Sequence, residues 1–520
     1  MRGVRGPLLL LVLSVLALIG VSLLLVPRAR NTEHRSEDLA ATGDSQGVPI
    51  APGFGNETAA PASNRKPADA AEVAPGPEAA GNRLATTAPG PASDDPAQAQ
   101  PPSGPDAPEP DDGAPPQIGP STPVEEDPET DPVLPGKGVK MRVNSKLDWL
   151  AAHQHDAGQW RASLFGEDTK RKSATRSYNA ELENIGIANA DAAADETYSV
   201  GVSGLALLAM SGAGYDHKEG PYKPVVRKAL LKLKEAQRED GCLADPACGG
   251  VLLNHVLALA AFAEMYALSG DNLLKTIVEK GAGFLAECQR DNGGWGDEAD
   301  GAESNTRATA WAVLTFKTCK MAGIERDYEP MKRGAAFMES LTVGEGDEIR
   351  TWYDERNQFR PGITANASLD AMNVVCQLMT ARMNRDHPTI RAQVKRIAAH
   401  LPSWTIGDVD LECWYWTGLA VFQSGDTPVG KRSGADETRE PPELTAGQKW
   451  LEAVTTVLTE HQRGFAPADK QAEATAETLD EYGSWDAVDV WSRQGGRVWT
   501  TAMASIVLDI TFRYMRVSGR

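Results

Sequence analysis

The chain has 520 residues, of which 24% are charged, and a formal net charge of −20 at pH 7. This acidity argues against a nucleic-acid partner, because such affinity comes mostly from Lys and Arg that neutralise phosphates. All twelve Trp lie between positions 149 and 499, whereas most Pro lie before position 136. The six Cys lack CxxC pairs and zinc-ligand spacing, so we predict neither a metal nor a cofactor. The spacing of Cys242 and Cys248 fits a disulfide and equally fits two free thiols.

The N-terminus begins with a basic flank, residues 1–6, followed by an uninterrupted apolar run, residues 7–26. At about 1.5 Å per residue, such a run crosses a hydrocarbon core of about 30 Å. A cleaved signal peptide has a shorter apolar core and a small-residue cleavage site, which VPRAR does not supply. We therefore predict a single-pass signal anchor, with the membrane as a partner. The numbers of flanking Arg residues are nearly equal on the two sides of the span, so the positive-inside rule hardly discriminates between the two orientations. We expect the C-terminal domain to be extracytoplasmic.

Residues 27–139 read as a linker of Pro, Ala, Gly, Asp and Glu, in which Phe54 is the one aromatic residue. A segment of this composition buries too little apolar surface to offset the entropy lost on ordering. We predict a disordered tether whose root-mean-square reach is on the order of 60 Å.

The remainder, residues 140–520, contains an internal repeat, aromatic-Leu-xxx-Gln-xxx-Gly-x-Trp. Two copies are complete, at positions 149–160 and 284–295. A degenerate copy runs from Leu233 to Leu243, with Leu243 in the Trp position. A fourth is interpreted as Trp450, Leu451, Gln462, Gly483 and Trp485, opened by an insertion.

Apolar helical segments follow the motif positions, at 199–210, 251–268, 306–320, 364–379, 412–423 and 498–514. The segments before them are one-sided amphipathic helices, as in 225–237. Six buried and six amphipathic helices in alternation predict an all-α fold, an α6/α6 toroid with the buried helices inside. An open solenoid of helix pairs is the alternative, although it would expose an apolar concave face.

The segment FLAECQRDNGGWGDEADGAESNTRATAWAVLTF resembles the repeat of squalene-hopene cyclases and prenyltransferase β subunits. The resemblance covers about residues 145–517. It implies the same terpenoid cyclase toroid, in which Gln and Trp tie neighbouring outer helices together. Membrane-anchored bacterial chains with endings similar to GGRVWTTAMASIVLDITFRY are the nearest likeness. This toroid also occurs in non-catalytic binding domains, so the fold alone does not establish a chemistry.

The sharpest catalytic candidates are Asp408 and Asp410, which precede the aromatic run 414–416. In squalene-hopene cyclases, an Asp of a DxDD motif protonates the substrate. The resemblance places the proton donor at Asp410, but Leu411 stands where the last Asp of the motif belongs. A DxD before a helix is also typical of N-capping.

Other candidates belong to the rim where the N-termini of the inner helices should gather and offer partial positive charge to a ligand. Aromatic side chains there could also stabilise a cation, although at helical spacing they are more often ordinary core. The predicted cavity or rim residues are His255, Asn305, Arg307, Trp311, Trp414, Trp416, Arg497 and Trp499.

Two further enzyme classes have weaker signals. A zinc prenyltransferase would need more than Asp240 with Cys242 or Asp410 with Cys413, because no third His ligand matches. An α6/α6-barrel glycosidase would need two carboxylates about 5 to 9.5 Å apart. Glu303, Asp370, Asp410 and Asp486 could supply them, but any acidic chain offers such sets.

The repeat is well preserved, whereas the known catalytic motifs are missing. This combination favours a binding or scaffold module for an apolar small molecule, a lipid or a protein. A polyene cyclase that uses Asp410 as general acid is the alternative, and a glycosidase is the second.

Overall fold

The computed structural model describes residues 137–176, 194–246, 248–356, 363–425, 444–489 and 491–510. The predicted basic flank, membrane span and most of the linker lie outside these residues. The described part is mostly helical with few strand residues, which confirms the predicted all-α class. Its one sheet is a two-residue antiparallel pair, β1 (Thr342–Val343) and β2 (Arg350–Thr351).

The described helices fall into two alternating sets. The amphipathic set is α1 (Lys137–Ala152), α3 (Lys223–Ala236), α5 (Asn272–Glu287), α7 (Glu329–Ser340), α9 (Pro388–Ala398) and α11 (Ala446–His461). The apolar set is α2 (Ser199–Gly212), α4 (Val251–Ser269), α6 (Thr306–Met321), α8 (Ile363–Met379), α10 (Leu411–Gln423) and α13 (Ser492–Leu508). A short helix, α12 (Pro467–Gln471), lies in the predicted insertion.

The apolar helices are buried on most of their faces. In α4, every residue from Val251 to Ala263 is buried, although the helix is long and apolar enough to cross a membrane. Its burial identifies it as a core helix, as expected for a helix that is hydrophobic all round. By contrast, α3 buries Val226, Ala229, Leu230 and Leu233 and turns its Lys and Arg towards solvent.

The apolar helices contact one another in a cyclic order. Helix α2 packs on α4, α4 on α6, α6 on α8, α8 on α10, and α10 on α13. Helix α13 in turn packs on α2. It begins at Ser492, earlier than the predicted 498, and includes a non-helical residue, Gly496. Each amphipathic helix contacts at least one helix of the apolar set.

The Gln of each motif copy joins two neighbouring outer helices. In the first copy, Gln154 Nε2 donates to Gly158 O in its own loop at 2.7 Å and to Val225 O of α3 at 2.8 Å. In the same way Gln237 reaches Ile277 O of α5 at 3.0 Å, and Gln289 reaches Pro330 O of α7 at 2.8 Å.

The fourth copy makes the same contacts across the seam between the last and first outer helices. Gln462 Nε2 donates to Gly483 O at 2.9 Å and to Ser145 Oγ of α1 at 3.2 Å. Trp485 Nε1 donates to Leu458 O at 2.8 Å, as Trp160 does to Leu150 O and Trp295 to Leu285 O. The predicted alignment of Leu451 with Leu150 is therefore wrong, because Leu458 takes that position.

Candidate functional site

The N-terminal ends of four apolar helices meet around a small cavity. It is lined by Gly201 of α2, Asn254 of α4, Arg307 of α6, and Trp491, Gln494, Gly495 and Trp499 at the start of α13. The cavity offers about 20 Å³, room for little more than a single water molecule. The predicted gathering of helix N-termini is thus found for these helices.

A buried ion pair lies beside this cavity. Arg307 Nε donates to both carboxylate oxygens of Glu412, at 2.8 and 2.9 Å. Burial alone would lower the pKa of Arg307, but the charge of Glu412 raises it. Trp311 Nε1 donates to Glu412 Oε1 at 2.8 Å. Helix α6 is therefore fixed to the N-terminus of α10 by a charge pair whose hydrogen bonds are made on both sides.

Trp491 connects this ion pair to Asp410. The Arg307 guanidinium lies 4.2 Å from the centre of the Trp491 ring, a cation–π contact. The indole Nε1 of Trp491 donates to Asp410 Oδ1 at 3.3 Å. Asp410 is buried and caps α10, because the same Oδ1 accepts from Cys413 N at 2.9 Å.

The partner of Asp410 is Asp489, which the sequence analysis missed. Asp489 Oδ2 accepts from Leu411 N at 2.6 Å, and its Oδ1 accepts from Trp491 N at 2.9 Å. Burial and the neighbouring charge of Asp410 raise the pKa of Asp489 to about 8. Burial and the neighbouring carboxylate thus both favour the protonated form of Asp489.

Asp408 and Asn305 lie apart from the cavity. Asp408 is exposed, in a turn that contains Gly407 with φ +97°. It does not join Asp410 in the buried cluster. Asn305 caps α6 by accepting from Ala308 N at 2.8 Å, which is a structural role.

His255 lies in the core, where its ring bonds to two backbone groups. Leu243 N donates to its Nδ1 at 3.2 Å, and its Nε2 lies 3.1 Å from Gly281 O. Burial lowers the pKa of His255 to about 4, so it is neutral at pH 7. In the two complete repeats, Ser203 and Thr309 accept from the corresponding backbone N–H groups. His255 therefore replaces a Ser or Thr of the repeat, which explains its place in an apolar helix.

The predicted aromatic residues separate into three environments. Trp311 stacks on Tyr415, with ring centres 5.5 Å apart, and meets Trp416 edge-on at 5.1 Å. Trp414 faces the opposite way and contacts Trp404. Of these aromatic candidates, only Trp499 lines the cavity.

Arg497 belongs to a separate buried network. Its Nη2 donates to Asp486 Oδ1 at 2.8 Å, and Arg463 Nη1 donates to the same oxygen at 3.1 Å. Arg463 also pairs with Asp469. These contacts hold the start of α13 against the insertion of the fourth motif copy, so Arg497 does not line the cavity.

The remaining candidates from the sequence are held in local contacts. Asp370 pairs with Arg396, and Glu303 pairs with Arg356 at the surface. Asp240 Oδ1 accepts from Cys242 N at 3.0 Å, which makes it a turn residue. Cys242 and Cys248 are free thiols, and burial raises the pKa of both. No cluster with metal-ligand character occurs in the part of the chain that the structure describes.

Asp489 and Trp491 had a signal in the sequence. They lie in WDAVDVW, just before the last apolar helix, as Asp408 and Asp410 lie just before α10. Because α10 and α13 pack on each other, acids that precede both helices can come together. The pairing of Asp410 with Asp489 could have been proposed on that ground.

Comparison with known families supports the repeat. Residues 136–360, which run from α1 past β2, match the squalene-hopene cyclase C-terminal domain family. The repeat over these residues is thus similar to that of the squalene cyclase and prenyltransferase family. This confirms the resemblance drawn from the Gln-Gly-Trp motif. A comparison with curated proteins finds none that matches this chain.

Two solved structures are similar at low scores. Both are inactive variants of the α-1,6-mannanase GH76A of Salegentibacter sp. HEL1_6, in complex with α-1,6-mannotetrose and α-1,6-mannotriose respectively. The first is 10% identical, with a TM-score of 0.45 over 71% of this chain and 98% of that chain. The second is 12% identical, with a TM-score of 0.44 over 70% and 99%.

Proposed function

We propose that the six helix pairs close into an α6/α6 toroid. The cyclic contact order of the apolar helices supports closure. So does the bond from Gln462 to Ser145, which repeats at the seam the contact made between other neighbouring outer helices. An open solenoid would leave its first and last pairs without contact.

We further propose that this toroid is a binding or scaffold module rather than an enzyme. The observation that carries the proposal is the close packing of the described core: Trp311 of α6 contacts Tyr415 and Trp416 of α10, and all three side chains are buried. The cavity at the rim offers about 20 Å³, whereas pockets for ligands of drug size measure about 300–1,000 Å³. A polyene substrate would require the core to open. A rigid outer surface is then the part available to a partner.

A polyene cyclase that uses Asp410 as general acid is the second candidate. It is favoured by the buried acids Asp410 and Asp489 beside Trp491 and Arg307, of which Asp489 has a raised pKa because of burial and the charge of Asp410. Against it, both oxygens of Asp489 accept backbone N–H bonds, and Asp410 caps α10. These bonds are the ones that a purely structural acid pair would make.

Incubation of the purified full chain with squalene and shorter polyprenyl substrates separates the two candidates. The scaffold proposal predicts no cyclised product by mass spectrometry, for the natural chain and for Asp410→Asn alike. The exposed residue Asp408 supplies a matched control, Asp408→Asn. Product made by the natural chain and by Asp408→Asn, but lost in Asp410→Asn, would replace the scaffold proposal with the cyclase.

We also propose that residues 7–26 anchor the chain in a membrane with the toroid on the extracytoplasmic side. The six described Cys are buried, so an introduced thiol at Lys332, 64% exposed on α7, provides a clean reporter. We expect Lys332→Cys to react with a membrane-impermeant maleimide in intact cells, and the chain to stay in the membrane pellet after an alkaline wash. Labelling only after lysis would place the domain inside, and release by the wash would remove the anchor.

A further inference from the structure

Helix α3 carries cations that the rest of the domain leaves unmatched. It contains five Lys or Arg and one Glu, in a chain of net charge −20. Five exposed cations on α3 and the neighbouring α5 form no ion pair with another described residue. Four lie on α3, namely Lys223, Arg227, Lys228 and Lys234, and Lys280 lies on α5. On α9, by comparison, Arg391, Lys395 and Arg396 each pair with an Asp.

Two exposed leucines lie among these cations. Leu231 of α3 is 55% exposed and Leu273 of α5 is 68% exposed. A groove between the two helices is lined by three cations, Lys234, Arg238 and Lys280, by one acid, Glu239, and by Gln237, Leu273, Thr276 and Ile277. We name this combination, the solvent side of α3 with the groove beside it, the α3–α5 face. It offers apolar contacts flanked by positive charge.

The chain itself contains a segment of complementary chemistry. Residues 84–136 include eleven Asp or Glu and no Lys or Arg. Their last stretch, PVEEDPETDPVLP at positions 123–135, combines five acids with four Pro and three apolar residues. Proline-rich segments dock into grooves lined by apolar side chains, and the acids match the cations of the face.

The length of the chain allows this segment to reach the face. It ends where α1 begins, and α1 contacts α3 through its C-terminal half: Tyr222 Oη donates to Asp148 Oδ1 at 2.8 Å, and Gln154, just after α1, reaches Val225 O. The rise of α1 from Lys137 to Asp148 is about 17 Å, whereas an extended chain from Glu125 to Lys137 spans about 40 Å. Residues near Glu125 can therefore pass the start of α3 and lie along much of that helix, which is about 21 Å long.

We propose that residues 123–135 dock on the α3–α5 face of the same chain. Exposed ion pairs are individually weak, but a short connection keeps the effective concentration of the segment high. Docking shortens the tether between the membrane and the toroid and covers the basic face. High salt or an acidic competitor then releases the segment.

Zero-length carboxyl–amine crosslinking of the full chain in detergent tests this proposal. We expect crosslinks from the acids at 125–131 to Lys228, Lys234 and Lys280, and none to Lys332 of α7 or Lys395 of α9, although both are well exposed. At about 1 M salt the Debye length falls to about 3 Å and the yield should drop several-fold. Equal crosslinking of all exposed lysines would overturn the proposal.

A pair of surface variants sharpens the test, because both keep every lysine that is scored. Arg227→Glu with Leu231→Glu reverses the charge and polarity of the face and should lower the yield several-fold. Arg391→Glu on α9 should leave it unchanged. If the first variant crosslinks as well as the natural chain, the segment does not recognise this face.

Two alternative occupants have their own outcomes. Mixing isotope-labelled and unlabelled chains gives mixed crosslinked pairs if the segment of one chain docks on another, which contradicts docking within one chain. In nanodiscs of neutral and of anionic lipid, the proposal expects the same crosslinks. The crosslinks could instead disappear in anionic nanodiscs but not in neutral ones, while the amides of α3 become protected from exchange. That result would make the membrane the occupant of the face.

Discussion

Glu412→Gln should lower the free energy of unfolding by about 3–5 kcal/mol, although it removes no atom from the core. The carboxylate of Glu412 is the counter-ion of Arg307, and both side chains are buried. A glutamine keeps the shape and an acceptor for Trp311 Nε1, but it leaves the guanidinium charge without a compensating charge. Urea unfolding of the full chain in detergent, followed by circular dichroism, measures the difference.

Two further variants show whether charge is the cause. Arg307→Met with Glu412→Leu removes the whole pair and should recover much of the loss, since an apolar pair avoids the desolvation of both ions. Glu329→Gln breaks the exposed pair with Lys332 and should change stability by less than about 1 kcal/mol. If Glu412→Gln costs no more than Glu329→Gln, the buried pair does not hold α6 to α10.

The repeat was predictable because its physics is local. A Gln at the end of an amphipathic helix, a Gly four residues on and a Trp two residues later form one loop. Two contacts of that loop, Gln to the Gly carbonyl and Trp to the Leu carbonyl, recur in both complete copies. The helix pattern followed from burial, since α4 is apolar all round and α3 is apolar on one side.

The fourth copy was aligned wrongly on a single residue for a physical reason. Trp450 and Leu451 look like the aromatic-Leu pair of the motif, but the spacing from Leu to Gln is set by one helical turn. Gln154 lies four positions after Leu150, and Gln462 lies four positions after Leu458. Trp450 has another task, because its Nε1 donates to His400 O at 2.9 Å.

Of the two buried acids in the candidate site, one was predicted from the sequence and the other was not. Asp410 belongs to a local pattern, an acid that caps a buried helix, and the sequence carries that pattern openly. Its partner Asp489 is 79 residues further along the chain, and only the packing of α13 on α10 brings the two together. Asp408 looked equivalent to Asp410, yet the turn at Gly407 leaves it in solvent.

Gly483→Ala should be among the most damaging single changes in this protein, at about 2–5 kcal/mol. Gly483 has φ +96°, a conformation that costs a residue with a Cβ about 1–2 kcal/mol. A Cβ at this position would also overlap the carbonyl oxygen of Ser145 in α1, which adds about 1–3 kcal/mol of overpacking. The Cβ is fixed to the backbone of residue 483 and the carbonyl belongs to the backbone of Ser145, so no side-chain rotation relieves the overlap.

Gly214→Ala separates these two causes. Gly214 has φ +82°, and a Cβ there would meet no atom within 4 Å, so this variant reports the conformational cost alone. Gly293→Ala, whose Cβ would lie 2.8 Å from Arg333 O, reports the same kind of overlap between α5 and α7, away from the seam. Urea midpoints of the three variants give the order.

The comparison of these three glycine variants tests how firmly the last and first amphipathic helices are joined. If α1 and α11 are joined as firmly as other neighbouring outer helices, Gly483→Ala should cost at least as much as Gly293→Ala, and both should exceed Gly214→Ala. A cost for Gly483→Ala equal to that of Gly214→Ala would mean that α1 moves aside freely at the seam. A ring held by contacts on every side has no such freedom, so that outcome would count against a closed toroid.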